Sequence, residues 1–361
     1  MSHRATAEGM RVVMMAGGTG GHVFPALAVA DGLRQLGADV VWMGVASGME
    51  AELVPKYGFS MEWIRVAGLR GKGLRSWLTA PFRLMRAIGD AISVIRRIRP
   101  NLVIGMGGFV AGPGGLAAWL LRKPLVIHEQ NAFAGLTNRV LAKVAARVLQ
   151  AFPDTFNNGI SVGNPVRAEI AAVPTPEARL AGRQGRVRLL IVGGSLGALA
   201  LNRLVPEALG LLTPELRPEI WHQAGRTHAR AVEAYADTDL QPRLEPFIDN
   251  MAEAYAWADL VVCRAGALTI AELAAVGLPS ILVPFPFAVD DHQTVNGQYL
   301  VDAGAALLIQ ERDLTAEGLA AQLQPLLQDR ARLLQMAIAA RSKAWPKASY
   351  EIVEHCLAVA A

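Results

Sequence analysis

The chain has 361 residues, long enough for two domains of ordinary size. Hydrophobic residues make up 52% and charged residues 18%, which excludes a disordered chain. The formal net charge of +4 is too dilute for a nucleic-acid binder, but it suits anionic ligands or an anionic membrane surface.

Two cysteines, Cys263 and Cys356, supply neither a disulfide framework nor metal-ligand spacing, so a reduced cytosolic compartment is the default. The first nine residues lack the apolar core of a signal peptide. No apolar run reaches the length of a bilayer span, so any membrane contact is expected to be peripheral.

Residues 11–15 read as a buried strand, and the apolar spacing from Phe24 onward reads as a helix. Between them lies Ala16-Gly17-Gly18-Thr19-Gly20-Gly21-His22. A glycine-rich turn between strand and helix presents backbone N–H groups that attract phosphate; an ordinary tight turn without a ligand is the alternative. Val23 stands where a dinucleotide fingerprint needs its third glycine, and the next strand, 40–44, carries no acidic residue for a ribose. No Lys-Ser or Lys-Thr follows to make a nucleotide-triphosphate loop. His22, closing the turn, can serve beside phosphate as a cation or, when neutral, as a base.

A loop at 68–73 leads into a helical stretch, 74–99, that mixes Trp77, Leu78, Phe82, Leu84, Met85 and Ile88 with Arg75, Arg83 and Arg86. The residues alone favour an amphipathic helix packed on its own sheet with a solvated basic face; the rival reading is a dock for anionic lipid. A strand at 102–104 enters a second glycine-rich loop, 105–115, followed by a helix at 116–121. A strand at 125–127 then delivers His128-Glu129-Gln130-Asn131. Strands alternating with helices imply a parallel sheet with ligands at the carboxyl ends of its strands.

The register changes at 162–167, and the stretch 171–184, rich in proline, alanine and arginine, reads as a connection between domains. The opening pattern then recurs as strand 187–192, the loop Gly193-Gly194-Ser195-Leu196-Gly197 and another helix. The fold expected is α/β, with two doubly wound domains and a cleft between them. A strand at 258–263 precedes a helix opening at Ala267. Glu272 lies just past its first turn, where a carboxylate can accept from the vicinal hydroxyls of a ribose or simply favour the helix N-terminus. A strand at 280–283, a polar cluster at 290–296 and a last helix after Trp345-Pro346 complete the chain.

Three other motifs fall short. Gly193 to Gly197 spells the G-x-S-x-G elbow of a hydrolase, with Asp259 or Asp290 and His292 downstream, but a single-sheet hydrolase does not explain the duplicated pattern. His128-Glu129 begins a zinc motif that Ala132 breaks. Asp237-Thr238-Asp239 matches an aspartate pair that some sugar-nucleotide enzymes use for a metal, yet it stands apart from every glycine turn and reads as solvated surface.

Taken together, the segments 17–22, 68–73, 105–108, 128–131, 134–138, 163–167, 193–195, 255–264 and 266–269 resemble the MurG family, bacterial glycosyltransferases of peptidoglycan synthesis. The resemblance covers nearly the whole chain. It implies the GT-B fold, two Rossmann-like domains facing across a cleft: an acceptor and membrane-facing domain over 1–166, a UDP-sugar domain over 167–344, and a helix at 345–361 returning to the first. The implied reaction moves N-acetylglucosamine, with inversion, from UDP-GlcNAc to the C4 hydroxyl of the muramoyl sugar of lipid I, giving lipid II. A GT-B transferase with a different acceptor is the alternative, and a non-catalytic nucleotide-sugar sensor has no use for His22.

Carried over by motif, His22 is the expected base, with His128 its rival. Donor contacts fall to Thr19, Gly20, Gly21, Asn131, Arg167, Gly194, Ser195, Ile248, Ala267, Leu268, Thr269, Ile270, Ala271, Glu272, Gln293 and Asn296. Acceptor contacts fall to Gly18, Gly107, Gly108, His128 and Glu129. With a lipid acceptor, Trp77, Leu78, Phe82, Arg83 and Arg86 become the expected membrane contact. No metal and no tightly bound cofactor are implied, since N–H groups around Gly193 to Gly197 can meet the diphosphate charge. The resemblance also implies an anionic membrane surface and cell-wall and division proteins as partners, no nucleic acid, and a peripheral place on the cytoplasmic face of the inner membrane. Phe109 stands where many relatives carry tyrosine, and the segment between Pro286 and Asp290 is one residue longer than in some relatives.

Overall fold

The computed structural model describes residues 7–66 and 74–360, without the side chains of residues 74–78 and 289. The loop at 68–73 and the side chains of Trp77 and Leu78 lie outside that description. The chain divides into two compact units, one of residues 1–167 with 347–361 and the other of residues 168–346.

In the first unit, seven strands among the described residues form one parallel sheet. They are β1 (Arg11–Met15), β2 (Asp39–Gly44), β3 (Ser60–Trp63), β4 (Leu102–Gly105), β5 (Leu125–Glu129), β6 (Arg147–Gln150) and β7 (Ile160–Ser161), ordered 3-2-1-4-5-6-7. The run Val12-Val13-Met14-Met15 is continuously apolar because both faces of β1 are covered. Val12 and Met14 pack with Ala26, Val29 and Leu33 of the helix Gly20–Gln35. Val13 and Met15 turn the other way, toward Ala91, Val94 and Ile95 of the helix Leu74–Ile98 and toward Ala117 and Ala118. The last helix, Ala348–Ala360, adds Ile352, Val353 and Cys356 to the core beneath the helix Gly20–Gln35.

The second unit repeats the plan. Its strands are β8 (Arg188–Val192), β9 (Glu219–Gln223), β10 (Arg243–Glu245), β11 (Leu260–Cys263), β12 (Ser280–Leu282) and β13 (Ala306–Leu308), all parallel in the order 10-9-8-11-12-13. In each sheet the strand order reverses beside the first strand, between β1 and β4 and between β8 and β11. Doubly wound sheets bind ligands at the carboxyl side of such reversals. The expected pair of doubly wound α/β domains is therefore what the chain forms.

Two expectations change in detail. The glycines at 112, 114 and 115 belong to the helix Ala111–Leu120 rather than to a loop. A β-carbon at Gly114 would fall 2.1 Å from the Sδ of Met15, so this glycine lets a helix lie close on the sheet. The stretch 171–184, read as a connection between domains, lies within the second unit. Arg179 is buried and donates to the carbonyls of Ala258 (2.7 Å) and Gly277 (2.6 Å), while Arg183 donates to Asp259 (2.5 Å) and to the carbonyl of Trp257 (2.8 Å). These bonds fasten the stretch to the second unit.

The helix Leu74–Ile98 changes character along its length. Ala87, Ala91, Val94 and Ile95 are buried at helical spacing, whereas residues 81–86 are exposed, with Phe82 at 71% and Met85 at 59%. No helix among the described residues is long and apolar enough to cross a membrane.

Candidate active site

The glycine loop after β1 is clamped on two sides. The buried indole of Trp42 donates to the carbonyl of Ala16 (2.9 Å). Glu50, 1% exposed, accepts from the N–H of Gly18 (3.0 Å) and from that of Val45 (3.0 Å). The helix begins at Gly20, four residues earlier than the apolar spacing suggests, with exposed Thr19 as its N-cap. Gly20, Gly21 and His22 thus form its first turn. Arg167 closes the first unit, its guanidinium 5.4 Å from the ring centre of Phe24 on the same helix.

The second glycine loop, after β4, lies against the first. Gly107 and Gly108 both have positive φ, and Gly107 backs directly onto the imidazole of His22. The third contributor is the end of β5, a strand that includes His128 and Glu129. His128 is wholly buried, with Nε2 2.9 Å from the carbonyl of Gly163 and Nδ1 3.2 Å from Nε2 of Gln130. Burial pushes its pKa down to about 4. Both ring nitrogens are occupied and no face reaches solvent, so His128 is placed as a structural histidine. His22 is half-buried, and its Nδ1 lies 3.1 Å from Oε1 of Gln130.

Glu129 turns into its own loop, where one carboxylate oxygen accepts from the N–H and side-chain amide of Asn131 (3.1 and 3.2 Å). The other accepts from Asn138 (2.8 Å) and from the N–H of Gly135 (3.3 Å). Its carboxylate therefore shapes the loop 129–138, and Asn131 is held by it.

In the second unit the loop after β8 is organised by Gln223, which is buried at the end of β9. Gly194 donates to Oε1 of Gln223 (2.9 Å), and the Gln223 amide returns bonds to the carbonyls of Gly194 (3.1 Å) and Pro246 (3.2 Å). Gly193 donates to the Gln223 carbonyl (3.0 Å) and Gly197 to the Gly194 carbonyl (3.0 Å). These internal bonds use three of the N–H groups expected for a phosphate. The exposed turn at Ser195 and Leu196 is left as the outward part of the loop, two residues before the helix Leu199–Gly210.

The helix Ala267–Val276 follows β11. Glu272, buried, accepts from the hydroxyl of Tyr255 (3.0 Å). Leu268, Thr269 and Ala271 are partly exposed on this helix, whereas Ile270 has no exposure and packs inward. Gln293 accepts from the N–H of Phe285 (2.9 Å), Asn296 donates to the carbonyl of Ala265 (3.3 Å), and Ile248 is buried.

The structure also bears on the rival motifs. Asp259 precedes β11 at its amino end, while Ser195 follows the carboxyl end of the adjacent β8; it is bound by Arg183 and Arg330 and cannot join a hydrolase triad with Ser195. Asp239 accepts from Arg217 (2.7 Å), which holds its carboxyl below the usual range. Among the described residues, no group of three or more His, Cys, Asp or Glu is gathered as a metal ion requires. Both cysteines are buried, and burial pushes their thiols up to about 12.

Three organising residues carried no signal of their own in the sequence: Glu50, Gln223 and Gln130. Gln130 sits inside a recognised segment, but its role shows only in three dimensions.

Residues 12–150 match the model of the glycosyltransferase family 28 N-terminal domain, and residues 188–352 that of its C-terminal domain. The chain is 56% identical over 355 residues to the UDP-N-acetylglucosamine--N-acetylmuramyl-(pentapeptide) pyrophosphoryl-undecaprenol N-acetylglucosamine transferase of Nitrosococcus oceani, covering 97% of this chain and 99% of that protein. Against the enzyme of the same name from Marinobacter nauticus it is 55% identical over 354 residues, covering 97% and 98%. The crystal structure of Acinetobacter baumannii MurG is similar with a TM-score of 0.85 at 42% identity, covering 96% of this chain and 99% of that one. Paired doubly wound domains of this kind make the GT-B fold that the sequence implied. The chain belongs to glycosyltransferase family 28, as a member of the MurG family.

Proposed function

We propose that the chain transfers N-acetylglucosamine from UDP-GlcNAc to the C4 hydroxyl of the muramoyl sugar of lipid I, with inversion, giving lipid II and UDP. The observation that carries this reading is the likeness, at 56% identity and over nearly the full length of both chains, to transferases named for that reaction.

His22 is the base in this reading. Its Nε2 takes the proton of the acceptor hydroxyl while the oxygen forms a bond to the donor's anomeric carbon. The bond from that carbon to the β-phosphate oxygen breaks, and UDP leaves with the electron pair. The proton stays on His22 until product departs. Support comes from the half-buried ring beside two glycine loops, and from the full enclosure of its rival His128.

The donor is held mainly by the second unit. Ser195 and its turn meet the diphosphate, Glu272 the ribose hydroxyls, and the backbone at Ile248 the uracil, with Gln293 on the sugar. Backbone and hydroxyl donors meet the departing charge, so the reading calls for no metal and no resident cofactor. Gly18, Gly107 and Gly108 line the acceptor side.

The protein works as a peripheral protein on the cytoplasmic face of the bacterial inner membrane, touching anionic lipid through the helix Leu74–Ile98. The exposed run Phe82-Arg83-Leu84-Met85-Arg86 supports this, since it sets apolar side chains beside cations where the helix no longer packs on the sheet.

Incubating the protein with radiolabelled UDP-GlcNAc and a lipid I analogue tests the reading. Label appearing in the lipid product is expected. UDP binding without transfer to lipid I would contradict the assigned acceptor and favour another one or a sensor.

A further inference from the structure

The side chain of Gln130 joins the two histidines, and its hydrogen bonds can be satisfied in only one way. Its Nε2 lies 2.9 Å from the carbonyl oxygen of Met106 and 3.2 Å from Nδ1 of His128. A backbone carbonyl only accepts, so the amide nitrogen must face Met106. The carbonyl of Gly163, 2.9 Å from Nε2 of His128, likewise requires that nitrogen to carry the ring proton. Neutral His128 then presents a lone pair at Nδ1, which accepts the second amide hydrogen of Gln130. Reversing the amide would set its oxygen against a carbonyl and against a lone pair at once. The oxygen of Gln130 therefore faces His22, 3.1 Å from Nδ1, and an acceptor at that place requires a proton on His22 Nδ1.

We propose that Gln130 is a positioning residue that holds His22 in the Nδ1–H tautomer, with buried His128 as the fixed acceptor that orients the amide. Free imidazoles favour the opposite tautomer, which would put the proton on the nitrogen needed for catalysis. The chain Gly163–His128–Gln130–His22 corrects this and leaves the lone pair on Nε2. When His22 gains a proton, the amide oxygen keeps its hydrogen bond to Nδ1–H, so the cation forms without rearrangement. Gln130 is 1% exposed and His128 has no exposure, so both are fixed by the core rather than by substrate. This inference rests on His22 being the base.

The direct test is nitrogen-15 NMR of the neutral imidazoles in the full-length wild-type protein at alkaline pH. His22 is expected as the Nδ1–H tautomer and His128 as Nε2–H. A wild-type His22 carrying its proton on Nε2 overturns the proposal without recourse to any variant. Gln130→Met is expected to shift His22 toward Nε2–H and to lower kcat about tenfold or more while KM for UDP-GlcNAc stays within about twofold. A Gln130→Met protein with wild-type kcat and an unchanged His22 tautomer refutes the positioning role while leaving His22 as base. Undiminished transfer by His22→Ala refutes the base reading instead.

Discussion

A β-carbon added to Gly107 would fall 2.5 Å from Nδ1 of His22 and 2.8 Å from Cε1, so the His22 ring occupies the space that any side chain at 107 would need. The backbone there has φ of +94°, a conformation that side chains disfavour. Gly107→Ala is expected to push the imidazole off its bond to Gln130 and lower kcat about tenfold or more, with a stability loss of about 1–2 kcal/mol. Steady-state kinetics with urea unfolding checks both. Wild-type kcat in a folded variant would show that the ring's place is immaterial.

Glu50 ties two separate loops to one carboxylate. Glu50→Ala removes the acceptor for the N–H groups of Gly18 and Val45 and is expected to cost about 3 kcal/mol. The urea midpoint of the variant reports this directly, and an unchanged midpoint would contradict the clamp.

Stability should fall on acidification before carboxylates titrate. Burial holds His128 at about 4 and His222 at about 3, against 6.5 for a free histidine imidazole. Unfolding frees both to bind protons, so between about pH 6.5 and 4 the unfolded chain holds more protons and stability drops as pH falls. At about pH 5.5 unfolding is expected to take up about two protons through these residues, a slope on the order of 3 kcal/mol per pH unit. Proton uptake on unfolding measures it; uptake near zero contradicts the neutral, buried state of both.

Lipid binding should depend on the exposed part of the helix Leu74–Ile98. Replacing Phe82 and Met85 by serine is expected to weaken binding to vesicles containing anionic phospholipid. Replacing Arg83 or Arg86 by serine should weaken it about fivefold each at low salt, with the effect fading as salt rises. Unchanged sedimentation with vesicles would contradict the membrane reading.

Much of this was legible in the sequence, for physical reasons that particular residues display. The central strands β1, β4 and β5 carry unbroken apolar runs at 12–15, 102–104 and 125–127 because helices cover both faces, and the glycine turns after β1 and β8 mark the chain reversals. The edge strands were not legible: β3 is Ser-Met-Glu-Trp and β10 is Arg-Leu-Glu, both short and mixed because they are half-covered. Gly114 looked like part of a loop because a glycine that permits close packing and one that permits a turn are the same letter. The clamps were hidden by distance along the chain, with Gly18 and Glu50 separated by 32 positions and Gly194 and Gln223 by 29.

The central claim is that His22 removes the acceptor proton. Transfer of radiolabelled sugar from UDP-GlcNAc to a lipid I analogue, wild type beside His22→Ala, tests it most directly. A loss of about a hundredfold or more in the variant, with UDP-GlcNAc binding retained, is the result expected. Robust transfer by both proteins would contradict it and return the role to another group.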